Sequence, residues 1–148
     1  MRNPRSFSTL LLPRKGVLAI AAVLDIALNG QNRPVAAKAL AERHRLPPRH
    51  LEPVLQALVR EGILRGVRGP RGGYELAREQ TRISAIDILR AAGTAEEATE
   101  FALSDSPLLE RVVMPALEQA ERAFSSALGR ISIAELARTV EGVRRSAE

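Results

Sequence analysis

The spacing of apolar residues predicts a chain of helices interrupted once by a hairpin. Residues 1–9 open the chain with a polar, unpatterned stretch, and residues 1–12 read as a flexible lead-in. A first helix is predicted over residues 13–29, with Val17, Ile20, Leu24, Ala27 and Leu28 near one face and Gly30 as its stop. After a turn at 31–33, a short second helix over 36–44 turns Leu40 inward. Pro34-Val35-Ala36 stands at its start, where Ser, Thr, Asp or Asn would usually cap the first N–H groups. Residues 45–47 form the next turn.

The strongest pattern follows, over residues 48–61. Leu51, Val54, Leu55, Leu58 and Val59 fall at the i, i+3, i+4, i+7, i+8 spacing of one buried helical face. Pro48 suits the first helical position, where a missing N–H has no partner to lose. Gly62 suits the left-handed residue that ends a helix. Pro53 deletes the bond to Arg49, so the first turn is expected to bend or to be offset from the rest. Residues 63–68 suit a short strand, 69–73 a tight glycine-rich turn, and 74–76 the returning strand.

Beyond the hairpin, Ser84 with Asp87 three residues on is a capping-box signature, opening a short helix that carries Ile86, Leu89 and Arg90. Residues 91–105 are small and acidic and read as a loop. A long helix over 107–128 carries the apolar stripe Leu109, Val112, Val113, Leu117, Ala120, Phe124, Ala127 and Leu128, and Pro115 is expected to kink it. Ser132 and Glu135 form a second capping box, starting a terminal helix to about Val140.

A helix feeding a β-hairpin with an arginine-studded tip is the outline of a winged helix-turn-helix. The expected fold is therefore mainly α with a small β-hairpin wing. Its parts are a winged helix-turn-helix DNA-binding domain over 13–92, an acidic loop over 93–105, and a long C-terminal dimerisation helix followed by a terminal helix over 106–148.

Composition sharpens this outline. Few aromatics and no Trp imply a core of Leu, Val, Ile and Ala, as packed helices provide. Cysteine is absent, which removes disulfides, thiol nucleophiles and thiolate ligands for zinc or an iron–sulfur cluster. Net charge is +5, but residues 1–90 carry 16 Lys/Arg against 7 Asp/Glu, and residues 91–148 carry 6 against 10. One basic and one acidic half suggest a polyanion-binding part and a second part with another task. The longest uncharged apolar run, residues 16–24, is ended by Asp25 after nine residues, too short to span a membrane. A cytoplasmic protein is expected.

The candidate DNA contacts follow from this layout. At the wing tip, Arg68 and Arg71 suit a narrow, negatively charged minor groove, and Gly72 lets backbone approach it. On the third helix, Arg49, His50, Glu52 and Gln56 are free to face outward. Arginine can pair with both guanine acceptors, and Glu accepts from cytosine N4; His50 suits packing or a phosphate. Lys38, Arg45, Arg60 and Arg65 suit phosphate contacts that position without reading sequence. No nucleophile–base pair, phosphate loop, His-rich metal spacing or dinucleotide fingerprint is present, so an enzyme is not expected, and neither a metal nor a cofactor.

The string GILRGVRGPRGGYEL, preceded by LPPRHLEPVLQALVRE, resembles the signature of the Rrf-two family of bacterial transcription regulators. The likeness extends upstream through KGVLAIAAVLDIALNG and downstream to ISIAELA, roughly residues 12–137. It implies a dimer whose long helix pairs with its twin through Leu109, Val112, Val113, Leu117, Ala120, Phe124 and Leu128. In that family the arginine matching Arg68 contacts DNA, and residues matching Arg49 and Glu52 read bases. Pro47 and Arg49 stand where iron–sulfur members usually carry serines, which implies a different operator. Those members carry three cysteines where this chain, over 91–114, has none, so their sensing mechanism does not transfer.

The resulting expectation is a homodimeric, sequence-specific regulator of double-stranded DNA, a repressor by occlusion, without an iron–sulfur cluster. The competing reading is a winged-helix protein-interaction module controlled by or docking a partner protein. Whether a protein or small-molecule effector acts at the acidic loop and long helix is left open, since no residue pattern identifies one.

Overall fold

The computed structural model describes residues 14–31, 33–93 and 107–147, apart from the side chains of Leu109 and Glu110. The lead-in and nearly all of the acidic loop lie outside the described residues, as does the side chain of Leu109 from the long-helix stripe. The elements are α1 (Arg14–Asn29), α2 (Ala37–Arg43), α3 (Pro48–Arg60), β1 (Leu64–Val67), β2 (Gly73–Leu76), α4 (Ala85–Ala92), α5 (Met114–Gly129) and α6 (Ile133–Ala147). A short 3-10 turn, Gln80–Arg82, joins the hairpin to α4.

α3 folds as its pattern predicts. Leu51, Val54, Leu55 and Leu58 are buried in the common core, with Val59 packed at its margin. The helix runs through Pro53, which is exposed. The expected irregularity is confined to the first turn, where the His50 N–H donates to the Pro47 carbonyl at 3.0 Å, one residue short of the helical repeat. At the other end Gly62 takes φ +75°, and the Ile63 N–H reaches back to the Leu58 carbonyl at 3.0 Å, turning the chain directly into β1.

The hairpin is antiparallel, with Leu64 opposite Leu76, Arg65 opposite Glu75, Gly66 opposite Tyr74 and Val67 opposite Gly73. The first strand is shorter than predicted and the second starts one residue earlier. A third piece of chain joins it. Val35 and Tyr74 exchange both backbone bonds, at 2.9 and 2.8 Å, tying the wing to the lead-in of α2.

α1 corrects the expected face. Its fully buried residues centre on Ala19, Ala22, Val23 and Ile26; of the expected face Ala27 is buried, whereas Val17 is 42% exposed and Ile20, Leu24 and Leu28 are half-buried. Alanines bring the α1 backbone close to α4 and α6, which larger residues on the same face would prevent. α4 runs through Ala91 and Ala92, both buried, two residues into the stretch read as loop.

Both capping boxes form. The Ser84 Oγ accepts from the Asp87 N–H at 3.2 Å, and the Ser132 Oγ from the Glu135 N–H at 3.1 Å. The two helix starts also face each other. The Ala85 N–H donates to the Ile131 carbonyl at 2.8 Å and the Ile133 N–H to the Ile83 carbonyl at 2.9 Å, with Ile83 and Ile133 fully buried. α6 extends to Ala147, well past the expected end near Val140.

The irregularity expected at Pro115 takes the form of a π-helical stretch, Leu109–Val113, directly before α5. α5 contains no buried residue. Val112 and Leu117 are 59% and 60% exposed, Val113 and Ala120 are exposed, and Phe124 and Leu128 are half-buried. The stripe does not complete the core.

Candidate nucleic-acid interface

Burial of one side of α3 decides what the other side offers. With Leu51, Val54, Leu55 and Leu58 inside, Arg49, His50, Glu52, Gln56 and Arg60 are all exposed on the same helix. Glu52 is the only acidic residue within α3.

The wing offers Arg68 and Arg71, both exposed. Its tip is closed by the Gly72 N–H donating to the Gly69 carbonyl at 2.9 Å. A β-carbon on Gly72 would collide with the Val67 carbonyl oxygen and lie 2.9 Å from that of Gly69, so a larger residue could not follow this path. Lys38 on α2 and Arg45 in the turn before α3 are also exposed.

Arg65 differs from the other candidates. Its Nε donates to Glu75 Oε1 at 2.8 Å, across the strand pair. Such an exposed pair contributes about 0–1 kcal/mol at most. Arg65 is nonetheless already matched to an anion, so a phosphate would have to share it with Glu75. Arg78, absent from the sequence reading, closes the end of α3. Its Nε donates to the Gly62 carbonyl at 3.2 Å and its Nη2 to that of Glu61 at 3.1 Å.

Sequence reasoning also missed the cluster around Asp25. At 8% exposure, Asp25 is the buried charged residue of the described core. Its Oδ1 accepts from Asn29 Nδ2 at 3.1 Å and Arg43 Nη2 at 2.6 Å; its Oδ2 accepts from Arg43 Nε at 2.9 Å and lies 3.0 Å from His44 Nε2. The available signal was an acid with Asn four residues on, set in an otherwise apolar helix.

Burial alone would raise the Asp25 pKa. Hydrogen bonds from Arg43 and Asn29, with the charges of Arg43 and His44, outweigh it and hold the carboxyl below the ordinary aspartate value. The contribution to stability is thus complete above the unfolded-state pKa, about 3.9, and is lost as pH falls through the lowered folded value. Urea unfolding at neutral pH and in acid below about pH 4 should show a larger loss of stability for the natural chain than for Asp25→Asn. An equal loss in both would mean that Asp25 is not the linked group.

Comparison with known proteins follows the same outline. Residues 12–139 match the Rrf2 family, described as iron-dependent transcriptional regulator. An HTH-type transcriptional regulator of Synechocystis sp. is 36% identical over 126 residues, covering 84% of this chain and 86% of its own. IscR, an HTH-type transcriptional regulator of Xenorhabdus nematophila, is 34% identical over 133 residues, covering 88% and 80%. Among solved structures, T. potens IscR superposes with a TM-score of 0.71 at 30% identity, covering 89% of each chain. CymR of B. subtilis, at 24% identity and a TM-score of 0.67, shares the fold over 88% of this chain and 98% of its own.

The iron in the family description has no thiolate to hold it here, because the sequence contains no cysteine. Among the described residues, no group of three or more His, Cys, Asp or Glu could hold a metal ion. These residues do not fit a thiolate-held cluster. No helix among the described residues is long and apolar enough to cross a membrane.

Proposed function

The chain belongs to the Rrf2 family of transcriptional regulators, and from that premise we propose that it works as a homodimer that binds a pseudo-palindromic operator and represses by occupying it, without a thiolate-held cluster. The observation that carries this reading is the division of α3 into a buried leucine face and an exposed face bearing Arg49, His50, Glu52, Gln56 and Arg60, feeding directly into a wing that ends in Arg68 and Arg71.

In this reading α3 lies in the major groove. Arg49 pairs with guanine, Glu52 accepts from cytosine, and Gln56 contacts the adjacent base edge. The wing enters the minor groove through Arg68 and Arg71, with Gly72 allowing close backbone approach. Lys38, Arg45, His50 and Arg60 meet phosphates, and Arg65 does so while shared with Glu75. Residues 13–92 form the DNA-binding unit and 106–148 the dimerising one. The exposed stripe of α5 pairs with its twin about a two-fold axis, so half-sites lie about one helical turn, about 10 bp, or a multiple of it apart.

Sequencing genomic fragments retained by the purified protein at about 150 mM salt tests this, since non-specific contacts are largely screened there. One enriched palindrome is expected. Retention without a motif would remove sequence specificity from the proposal, and no retention would favour a partner-docking module. On the recovered operator, Arg49→Ala should lose about 1–3 kcal/mol and relax preference at one base pair. Arg68→Ala should weaken binding; if Arg68 meets a phosphate, the salt slope should fall by about one unit with no change of preferred sequence. Unchanged affinity for Arg68→Ala would sink the wing assignment.

A further inference from the structure

One buried charge has no part in the contacts proposed above. Asp25 lies on α1, yet its carboxylate holds Arg43, the last residue of α2, and His44, which follows it. It grips the end of α2 through two successive side chains.

The next residue is Arg45, at φ +54°, the one non-glycine residue with positive φ among the described residues. The Arg45 N–H donates to the Glu42 carbonyl at 3.3 Å and the Leu46 N–H to that of Ala41 at 2.9 Å. A left-handed residue closing a helix in this way is ordinarily glycine, because a β-carbon there crowds the following carbonyl. Arginine makes this backbone harder to form. Its side chain is exposed, and it has no hydrogen bond or ion pair among the described residues. A strained residue with an unmatched charge points to a use for that charge.

The start of α3 lies next to it in the chain. α3 starts at Pro48 with no side-chain cap and no acidic residue in its first turn, leaving the positive end of the helix dipole open to an anion.

We infer that Arg45 is held in its left-handed conformation to bring its guanidinium to a DNA phosphate at the start of α3, and that Asp25, acting through Arg43 and His44, is the residue that positions it. This rests on the DNA-binding reading. Asp25 touches no DNA in this arrangement. Without the clamp the end of α2 relaxes and Arg45 loses its direction, while α3 and the wing keep their own contacts.

The test is binding to a mixed-sequence duplex over a salt series, for folded protein checked by circular dichroism. The variants are Asp25→Ala, Arg45→Ala, Arg45→Gly and the double variant Asp25→Ala/Arg45→Ala. Arg45→Ala should lower the salt slope by about one unit, the signature of one lost phosphate contact. Asp25→Ala should lower it by the same amount, and the double variant should be no worse than Arg45→Ala alone. Arg45→Gly should lose the same slope while melting at a higher temperature than the natural chain. If Asp25→Ala does not fold, Arg43→Ala removes the main donors of the clamp and must show the same slope and the same lack of additivity.

A natural slope in the folded Asp25 or Arg43 variant, or additive losses in the double variant, would overturn the positioning role. A natural slope in Arg45→Ala would overturn the phosphate contact. If the natural chain itself shows no salt-dependent binding, the DNA-binding reading falls and this inference with it. A slope lost in Arg68→Ala but kept in Arg45→Ala overturns the inference alone.

Discussion

If α5 pairs two copies as proposed, Leu117→Glu is expected to leave the protein monomeric and to weaken binding to the proposed operator by about two to four orders of magnitude. Leu117 is 60% exposed on a helix that buries none of its residues, so the change removes nothing from the core of one chain. In a two-fold interface each residue appears twice, and a glutamate near the axis would place two like charges in a setting drained of water. Dissociation avoids that penalty. Each monomer then holds only one half-site and loses the high effective concentration that the second half-site enjoys once the first is bound. Sedimentation should show half the natural mass, with melting temperature and circular dichroism close to natural. An unchanged sedimentation coefficient would remove Leu117, and with it the stripe of Val112, Val113, Ala120, Phe124 and Leu128, from the interface.

Gly73→Ala should destabilise the fold by about 2–4 kcal/mol and displace the wing. An added β-carbon would collide with the Val35 carbonyl, 2.5 Å from its carbon and 2.8 Å from the Ala36 nitrogen. All of these are main-chain atoms in a stretch where Val35 is buried in the core, so none can step aside as a flexible side chain would. Relief requires parting Val35 from Tyr74, with loss of both backbone bonds between them. Amide exchange at Val35 and Tyr74 should then speed up more than exchange in α3, and DNA affinity should fall as Arg68 and Arg71 lose their mounting. Gly66, one strand position away, is the control. A β-carbon there meets nothing within 4 Å, and Gly66→Ala should leave both properties near natural.

The sequence made α3 and both capping boxes legible because each rests on local spacing. Leu51, Val54, Leu55 and Leu58 mark one face in a single short window, and Ser84 with Asp87, or Ser132 with Glu135, are only three residues apart. The hairpin was legible from its glycines. α1 misled because a ranking by hydrophobicity favours Val17 and Leu24 over Ala19 and Ala22, whereas close helix packing selects the smaller residues. α6 outran its expected end because the apolar spacing thins after Val140 while the helix continues along an exposed, polar face.

The pairings of Val35 with Tyr74, Ser84 with Ser132 and Asp25 with Arg43 join positions far apart in sequence, and no local pattern announces any of them. On the candidate interface, exposure of Arg49, Glu52, Gln56, Arg68 and Arg71 follows from the burial of their neighbours. The matching of Arg65 to Glu75 depends on strand register, which becomes countable only once the turn is placed.

The two helix starts that meet at Ser84 and Ser132 bear on the order in which the protein can be completed during synthesis. Ile133 is fully buried in the core that α1 and α4 share, and Ala134 and Ala137 are buried beside it on α6. A ribosome that has released α1 to α4 and the hairpin has not yet released the residues that close this core. The half-made chain keeps an open apolar face on α1 and α4 until α6 has left the ribosome. α5, which lies between, leaves the ribosome ahead of α6. The packing of α1 against α4 is therefore completed last, by a helix that follows every other element in the chain, and the apolar face left open until then is the stretch most exposed to wrong contacts during synthesis.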